Sequence, residues 1–407
     1  MCIIVFPQTV KKAIRRLEQA GFQAYAVGGC VRDSLLGKRP LDWDLTTSAP
    51  PEQIKSCFAD CRTVDTGIRH GTVAVELDGA MMEITTFRAD GGYRDHRHPD
   101  TVVFGKCLTD DLSRRDFTIN AMACRPGEPV IDLYGGKRDL EKKQICCVGN
   151  PARRFEEDAL RIMRALRFAS VLGFSLEKKT AEALQAHAPL LRYIAVERLV
   201  KEFNSLLAGD FLVPVLMEYG GVLAEFLPEL QPILSTGEWN RAIECAGRVK
   251  GDHIQKLAAL FAWMGSLFCC NLLQRLRYDR KTIRTVCTLA KEWKTPPQEK
   301  KEMLHLLCRA GEENARRLTG LWAACCPNHP SVAGINKKLE QLLLEGGCYS
   351  LQQLKICGKE LSALGIPPGP KMGRVLENLL EQVMDDALPN RKEVLLQAAA
   401  KLADLSS

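Results

Sequence analysis

A change in sequence pattern near residue 151 constrains the fold of this chain more than any other feature. Before it, β-branched or alternating segments bounded by Gly, Asp and Pro predict short strands at 23–27, 41–46, 72–77 and 81–87. After it, runs rich in Leu, Ala, Arg and Glu repeat their apolar residues at the helical period to the C-terminus. We therefore predict an α+β chain, in which a mixed α/β head with a small β-sheet precedes an all-helical remainder.

The helical remainder is long enough to divide further. The chain has 407 residues, more than one typical domain. Breaks rich in Gly and Pro fall near 149–151, 208–210 and 296–297. We predict a head at 1–148 and three helical segments at 149–208, 209–296 and 297–407.

Composition restricts the environment of the chain. No window approaches 18 uninterrupted apolar residues, and the apolar start is too short for a signal peptide, so we expect no membrane span and no export. The 17 cysteines are odd in number and contain no Cys-x-x-Cys spacing. This indicates reduced, mostly buried thiols in a cytoplasmic protein rather than a disulfide framework or a zinc site.

The basic excess is concentrated in one helical stretch. Residues 237–320 contain 16 basic and 9 acidic residues, and this excess of seven equals the net charge of the whole chain. Clustered Lys and Arg bind polyanions through counterion release, although an ordinary solvated helix face explains a charge run equally well. Charge alone leaves both explanations open.

Two glycines follow the first predicted strand. In Val27-Gly-Gly-Cys-Val-Arg-Asp33, Gly28 and Gly29 end the strand and open a helix, where backbone N–H groups can approach a phosphate. Arg32 would lie one turn into that helix and pair with the same anion. An ordinary tight turn is the commoner explanation of two glycines alone.

Two aspartates then occur with strand spacing. On a strand, Asp42 and Asp44 would point to one face, where the two carboxylates repel each other unless a cation lies between them. Carboxylate oxygens suit Mg²⁺, which completes its coordination with water and substrate phosphates. Such a pair can orient two metal ions for in-line nucleotidyl transfer. Glu83, on a neighbouring predicted strand, is a candidate third ligand or a cross-strand partner of a basic residue.

These residues belong to an ordered series of motifs. The series resembles the class II tRNA nucleotidyltransferases of the polymerase-beta-like superfamily. Its members in this chain are Gly28-Gly-Cys-Val-Arg-Asp-Ser-Leu-Leu-Gly37, Asp42-Trp-Asp44, Gly67-Ile-Arg-His-Gly-Thr72, the polar loop Asp90-Gly-Gly-Tyr-Arg-Asp-His-Arg-His-Pro99, Arg114-Arg-Asp-Phe-Thr-Ile-Asn-Ala-Met-Ala123, Arg154-Phe-Glu-Glu-Asp-Ala-Leu-Arg-Ile-Met-Arg-Ala-Leu-Arg-Phe168 and Val196-Glu-Arg-Leu199.

The resemblance implies template-independent addition of CCA to the 3′ end of tRNA from CTP and ATP. It implies a nucleotidyltransferase head, a neck that recognises the nucleotide base, and a body and tail that bind tRNA. It also implies Mg²⁺ on Asp42 and Asp44. The nucleotide contacts that it implies are Gly28, Gly29, Arg32, Arg115, Asp158, Arg161, Arg164 and Arg167.

A single helix through residues 158–168 would explain the choice of base. At the helical period, Asp158 and the three arginines at 161, 164 and 167 lie on one face, opposite an apolar stripe. Cytosine and adenine both present an amine beside an unprotonated ring nitrogen. A carboxylate accepts from the amine while a guanidinium donates to the nitrogen, whereas uracil and guanine reverse both polarities. The alternative is an ordinary surface ion pair between Asp158 and Arg161.

Three rival activities remain open at this point. Bacterial poly(A) polymerases resemble the same family but tend to carry a Gly-Arg-Arg/Lys-Phe run where this chain has Gly67-Ile-Arg-His. Partial enzymes that add only CC or only A lack the loop that is present here at 88–99. A non-catalytic tRNA-binding protein would not need both Asp42 and Asp44. We therefore expect full CCA addition.

Overall fold

The fold was analysed in a computed structural model that describes residues 4–68, 71–90, 102–105 and 107–404. It separates into two compact units, Met1–Leu234 and Ser235–Ser407. The predicted divisions at 148, 208 and 296 are finer than this separation and stay predictions. None of the helices in the described ranges is both long and apolar enough to cross a bilayer.

The strands all lie in the first unit. They are β1 (Ala24–Val27), β2 (Leu45–Thr47), β3 (Arg62–Gly67), β4 (Thr72–Leu77), β5 (Ala80–Thr86), β6 (Arg88–Asp90), β7 (Val102–Phe104), β8 (Met122–Cys124), β9 (Ile131–Asp132), β10 (Gln144–Ile145) and β11 (Ser175–Leu176). Seven of them form one sheet in the order β3-β4-β5-β2-β1-β8-β9, where β1 pairs antiparallel with β2, and β2 pairs parallel with β5. The head is therefore the predicted mixed α/β element with a small sheet.

The described residues of the first unit also form ten α-helices. They are α1 (Gln8–Gln19), α2 (Gly29–Leu35), α3 (Pro51–Cys57), α4 (Leu108–Ser113), α5 (Gly136–Glu141), α6 (Pro151–Glu157), α7 (Leu160–Leu172), α8 (Lys178–His187), α9 (Val196–Leu207) and α10 (Leu212–Leu223). The apolar stripe of α1, which includes Val10, Ile14 and Leu17, is buried as its periodicity predicts. At the start of α10, Gly209 is required because a Cβ there would lie 2.3 Å from Ser170 Oγ.

The second unit contains ten further α-helices and no strand within its described residues 235–404. They are α11 (Gly237–Arg248), α12 (His253–Phe261), α13 (Ser266–Arg275), α14 (Arg280–Glu292), α15 (Lys300–Ala310), α16 (Glu312–Cys325), α17 (Ile335–Leu344), α18 (Gly358–Ala363), α19 (Pro370–Met384) and α20 (Lys392–Asp404). Its core includes the fully buried side chains of Phe261 and Trp322. Asp279 caps α14 by accepting a hydrogen bond from Thr282 N at 2.9 Å.

Two details of the predicted secondary structure are wrong. Strands do not end at residue 151, because the two-residue strand β11 pairs in parallel with β10. Such a short strand has no alternating pattern to read, and its pairing depends on a segment about 30 residues earlier. In addition, the strand predicted at 41–46 is confined to Leu45–Thr47, so Asp42 and Asp44 precede it.

Candidate active site

Asp42 and Asp44 share one face even though they precede strand β2. Both are exposed, whereas the intervening Trp43 is only 8% exposed and the next residue, Leu45, is buried. Val27 N at the end of β1 donates a 3.0 Å hydrogen bond to Asp44 O, which keeps this segment extended beside the sheet. The alternation of exposed and buried residues thus directs both aspartates to the solvent-facing side.

Glu83 lies on the same face from the neighbouring strand. In the parallel pairing of β2 with β5, Leu45 is opposite Ile84, so the residues one step earlier are Asp44 and Glu83. Glu83 is exposed, as Asp44 is. Asp44 keeps an exposed surface but is partly buried. Burial, followed by the charges of Glu83 and Asp42, raises the pKa of Asp44, and the charge of Arg115 opposes this rise.

This carboxylate face is compatible with Mg²⁺, although no ready-made cluster exists. Within the described ranges, no three His, Cys, Asp or Glu side chains come close enough to form a metal site. The pKa of Asp44 is raised first by burial and then by repulsion from Glu83 and Asp42, and a cation would relieve that repulsion. Because Mg²⁺ binds through one or two carboxylates and completes its coordination with water and phosphate, Asp42 and Asp44 are a sufficient donor set.

The glycine turn lies directly against an arginine. Gly28 has φ +82°, a conformation that favours glycine, and a Cβ there would lie 3.1 Å from Arg115 Nη1. Arg115 Nη2 donates to Asp111 Oδ2 at 3.0 Å, and Arg115 Nε is buried without a hydrogen-bond partner among the described residues. The turn thus brings backbone and guanidinium together beside Asp44.

Arg32 connects the glycine turn to the first long helix after the head, α7. Its Nη1 donates to Asn120 Oδ1 at 2.7 Å and its Nε to Asp33 Oδ1 at 2.8 Å. Its guanidinium also lies 5.2 Å from the centre of the Phe168 ring. Arg32 therefore faces the predicted nucleotide-binding helix, as the sequence motif requires.

The predicted single helix through 158–168 is wrong. Asp158 has φ −146° and ψ +101°, so α6 ends before it and α7 begins after it. Asp158 Oδ1 accepts from Leu160 N at 3.1 Å, and its Oδ2 pairs with Arg198 Nη2 at 3.0 Å. The physical reason is that a short carboxylate competes for nearby backbone N–H groups and interrupts the helix.

Arg161 consequently has a different carboxylate partner from the one predicted. Its Nη1 donates to Glu157 Oε2 at 2.7 Å and to Arg154 O at 3.0 Å, and its Nη2 donates to Arg114 O at 3.0 Å. Arg161 is only 8% exposed. These contacts fix the orientation of its guanidinium, while Arg198 and Leu160 N fix that of Asp158.

Arg164 and Arg167 lie one turn apart on α7 and surround Phe168. Arg164 Nε donates to Asp116 Oδ2 at 2.8 Å, and Arg167 Nε lies 2.7 Å from Glu202 Oε2. The guanidinium groups of Arg164, Arg167 and Arg32 lie 5.5, 4.3 and 5.2 Å, respectively, from the centre of the Phe168 ring, which is the distance range of cation–π contacts. Three cations converge on one aromatic ring, which suits a polyanionic ligand.

Asp116 connects this cluster to the head. It is buried, and burial raises its pKa, but the Arg164 guanidinium and hydrogen bonds from Asn120 and Phe117 N outweigh burial and lower the pKa to about 2. Asn120 in turn binds Arg32, so the network runs from Arg32 to Arg164 through two buried polar side chains.

The Asp116→Asn variant is expected to lose about 2 to 3 kcal/mol of unfolding free energy at pH 7. Above about pH 5 the carboxylate is ionised in both states, so its ion pair contributes fully. Below about pH 4 the unfolded chain binds a proton first, and the contribution disappears as pH falls toward 2. Urea unfolding of the wild-type protein and the variant from pH 7 to pH 3 measures whether their free energies of unfolding converge as pH falls. Asp65→Asn, which removes an exposed pair with Lys55, is the control, and a pH-independent difference for Asp116→Asn contradicts the assignment.

Several contributors were missed from the sequence. They are Asp116, Asn120, Phe168, Arg198 and Glu202. All but Glu202 lie within motifs already recognised, yet the pattern gave no partner for any of them. Residues 91–99 of the polar loop, and Arg69 and His70 of the motif at 67–72, lie outside the described residues.

Comparison with known sequence families gives three matches in chain order. The family described as "Poly A polymerase head domain" matches residues 24–146. "Probable RNA and SrmB- binding site of polymerase A" matches residues 173–234, and "tRNA nucleotidyltransferase domain 2 putative" matches residues 251–399. Together these matches extend over both units of the chain.

Comparison with individual proteins gives full-length matches. The CCA-adding enzyme of Levilactobacillus brevis is 38% identical, covering 96% of this chain and 97% of its own length. That of Geobacillus kaustophilus is 35% identical over 93% of both. The Bacillus stearothermophilus CCA-adding enzyme in complex with CTP superposes with a TM-score of 0.84 at 31% identity, covering 99% of each chain. The Thermotoga maritima enzyme complexed with tRNA_CCA shares the fold, with a TM-score of 0.66 at 21% identity, covering 98% of this chain and 97% of its own.

Proposed function

The chain belongs to the family of CCA-adding enzymes, which are tRNA nucleotidyltransferases, and we propose that it adds CCA to the 3′ end of tRNA. CTP and ATP supply the nucleotides, pyrophosphate is released at each addition, and no nucleic-acid template is used. The observation that carries the proposal at the level of residues is the face of Asp42, Asp44 and Glu83, which lies beside Arg115. We also propose a cytoplasmic location, in keeping with a tRNA substrate.

Asp42 and Asp44 are proposed to hold Mg²⁺, and Glu83 adds negative charge on the same face. When bound, the metal neutralises charge on the attacking and leaving oxygens. Asp42 and Asp44 position the 3′ hydroxyl of tRNA against the α-phosphorus from one face of the sheet. Burial, and then the negative charge of Glu83 and Asp42, raises the pKa of Asp44.

The arginines around Phe168 are proposed to hold the triphosphate. Gly28 and Gly29 let backbone approach the phosphates closely, and Arg32 and Arg115 flank the turn. Arg164 and Arg167 extend the positive charge along α7. Because Asp116 and Glu202 keep two of these guanidinium groups in place, the phosphates meet a preformed site with little reorganisation.

Asp158 and Arg161 are proposed to select the base. Asp158 accepts from the exocyclic amine of cytosine or adenine, and Arg161 donates to the adjacent ring nitrogen. Separate partners hold the two side chains, so their relative position depends on the break between α6 and α7 rather than on a shared helix turn. Uracil and guanine would leave both groups mispaired, which is how hydrogen-bonding sites reject an analogue strongly.

Incorporation into trimmed tRNA tests the function directly. With labelled CTP and ATP, the wild-type protein is expected to extend tRNA lacking CCA by three nucleotides and to stop. Addition of only CC or only A would identify a partial enzyme, and long A tracts would identify a poly(A) polymerase. Binding of tRNA without any incorporation would contradict the catalytic assignment.

A further inference from the structure

Two helices of the second unit bring a pair of thiols together. Cys245 lies in the last turn of α11, and Cys325 is the last residue of α16. Their side chains are hydrogen bonded to each other, although residues 246–324 separate them in the sequence. Both thiols are half-buried, and every cysteine within the described ranges is free. The pair is thus a dithiol that a small reagent can reach.

An arginine connects the two helix ends at this point. Arg248, three residues after Cys245, donates through Nη1 to the backbone oxygen of Ala324 at 3.5 Å, and Ala324 directly precedes Cys325. Its Nη2 donates to Glu244 Oε2 at 3.1 Å on the same helix. The position of Cys325 beside Cys245 is therefore supported by a contact to the backbone as well as by the thiols themselves.

The two thiols differ in acidity. The hydrogen bond from Cys325 lowers the pKa of Cys245, burial and the charge of Glu244 oppose this effect, and the charge of Arg248 reinforces it. The same hydrogen bond, followed by burial, raises the pKa of Cys325. The C-terminal end of a helix weakly disfavours an anion, so a thiolate at Cys245 depends on Cys325 and Arg248. Cys245 is therefore the nucleophile of the pair, and Cys325 is the thiol that keeps its proton.

A second thiol pair in the same unit provides a comparison. Cys287 on α14 is hydrogen bonded to Cys270 on α13, and burial, followed by the charge of Cys270, raises the pKa of Cys287 to about 11. Cys287 therefore remains protonated at neutral pH and is a weak nucleophile. Two pairs of neighbouring thiols thus differ in the groups around them, and the second pair serves as a matched control.

We propose that Cys245 and Cys325 form a site of reversible oxidation by low-molecular-weight disulfides, and this inference is independent of the proposed function. In the first step, the Cys245 thiolate bonds to one sulfur of the reagent and displaces the other as a thiolate, which leaves a mixed disulfide. In the second step, Cys325 loses its proton to solvent and its sulfur displaces the remaining thiolate. The two protein thiols lose two electrons, and the reagent is reduced to two thiols. Excess thiol reverses both steps.

The disulfide would join α11 to α16 within the second unit. Cys326, which follows Cys325, has φ −130° and ψ +50° and lies outside α16, so the backbone can adjust at this point when the bond forms. The new bond closes the loop of residues 245–325. Because closing a long loop restricts the unfolded chain, the oxidised protein is expected to be more stable than the reduced protein.

Mapping the cross-link tests the pairing. The full-length protein is treated with oxidised glutathione, the remaining thiols are alkylated, and tryptic fragments are identified by mass spectrometry. Trypsin places Cys245 on the fragment 242–248 and Cys325 on the fragment 318–337. The wild-type protein is expected to join these two fragments at least about tenfold faster than the fragments that carry Cys270 and Cys287, since exchange rates follow the thiolate fraction.

Serine variants test the order of the two steps. Cys325→Ser is expected to stop at the mixed disulfide and to retain glutathione on Cys245, because the thiol that completes the reaction is absent. Cys245→Ser is expected to form neither the adduct nor the cross-link. Cys287→Ser, which removes one thiol of the second pair, is the control and is expected to form the cross-link at the wild-type rate.

Thermal unfolding tests the consequence for stability. Four of the five tryptophans lie in the second unit, so their fluorescence mainly follows the unfolding of that unit. Oxidation is expected to raise the midpoint of the wild-type protein and of Cys287→Ser by about 10 °C. Excess dithiothreitol is expected to return both to the reduced value, and Cys245→Ser is expected to show no shift.

Three results would overturn the inference. Oxidised wild-type protein without a bond between fragments 242–248 and 318–337 would show that the two thiols do not form a disulfide. Persistence of that bond in Cys325→Ser would assign the reaction to the adjacent Cys326 instead. Faster oxidation of Cys270 and Cys287 would show that the groups around Cys245 do not activate it. Because the mapping uses the wild-type protein, it remains decisive even if a serine variant folds poorly.

Discussion

The Asp44→Asn variant is expected to add CMP to tRNA at least about a thousandfold more slowly than the wild-type protein. The Asp44 carboxylate interacts electrostatically with both Asp42 and Glu83. Replacing it with a neutral amide removes a ligand from the proposed Mg²⁺ site, and the loss of several kcal/mol of transition-state stabilisation corresponds to a rate change of this size. Labelled CTP incorporation measures the effect, and Asp42→Asn is expected to behave in the same way.

Binding and stability distinguish this result from misfolding. tRNA binding by the Asp44→Asn variant is expected to remain close to wild type. Because the substitution relieves repulsion among three carboxylates, its urea midpoint without Mg²⁺ is expected to equal or exceed that of the wild type. Asp78→Asn, which removes an exposed pair with Lys12 at the turn between β4 and β5, is the control with unchanged activity. Retained incorporation by Asp44→Asn would refute the metal assignment.

The carboxylate face that we propose is catalytic depends on a local period in the sequence. Alternation alone places Asp42 and Asp44 on one side, and this holds although the strand itself begins at Leu45. The presence of Glu83 on the same face requires the parallel pairing of β2 with β5, which no local pattern specifies. Local repeats are therefore readable from the sequence, but strand partners are not.

The segment at 158–168, which we propose binds the nucleotide, shows the opposite case. The apolar period continues through residues 158–168, so the sequence predicts one helix, yet Asp158 interrupts it. The interruption is stabilised by Arg198, which is 40 residues away, and the Arg164–Asp116 pair spans 48 residues. Such long-range partners depend on the packing of the head against α7 and α9. The motifs name the candidate residues of the site, but the contacts between those residues could not be predicted from them.

The break at Asp158 fixes a hydrogen-bond acceptor at the position that we propose reads the base. With Leu160 N on one oxygen and Arg198 on the other, the carboxylate has a defined orientation and can accept from an amine without rearranging. Arg198 therefore acts as a positioning residue for Asp158. It makes no proposed contact with the nucleotide.

The Asp158→Ala variant is expected to lose nucleotide selection by more than it loses rate. The wild-type preference for CTP over UTP is expected to fall by about a hundredfold. The variant lacks the carboxylate that accepts a hydrogen bond from the amine of cytosine and repels the carbonyl of uracil. Competition between labelled CTP and UTP on tRNA lacking CCA measures the preference. Glu156→Ala, which removes an exposed carboxylate on α6, is expected to leave the preference unchanged.

Arg198→Ala completes a double-mutant cycle with Asp158→Ala. Alone, it is expected to weaken the CTP preference less than Asp158→Ala does, because the carboxylate remains but loses one of its two anchoring contacts. Combined with Asp158→Ala, it is expected to cause no further loss of preference, since its effect passes through that carboxylate. Strict CTP selection by Asp158→Ala would contradict the base-pairing role. Additive losses of preference would instead show that Arg198 contacts the nucleotide itself.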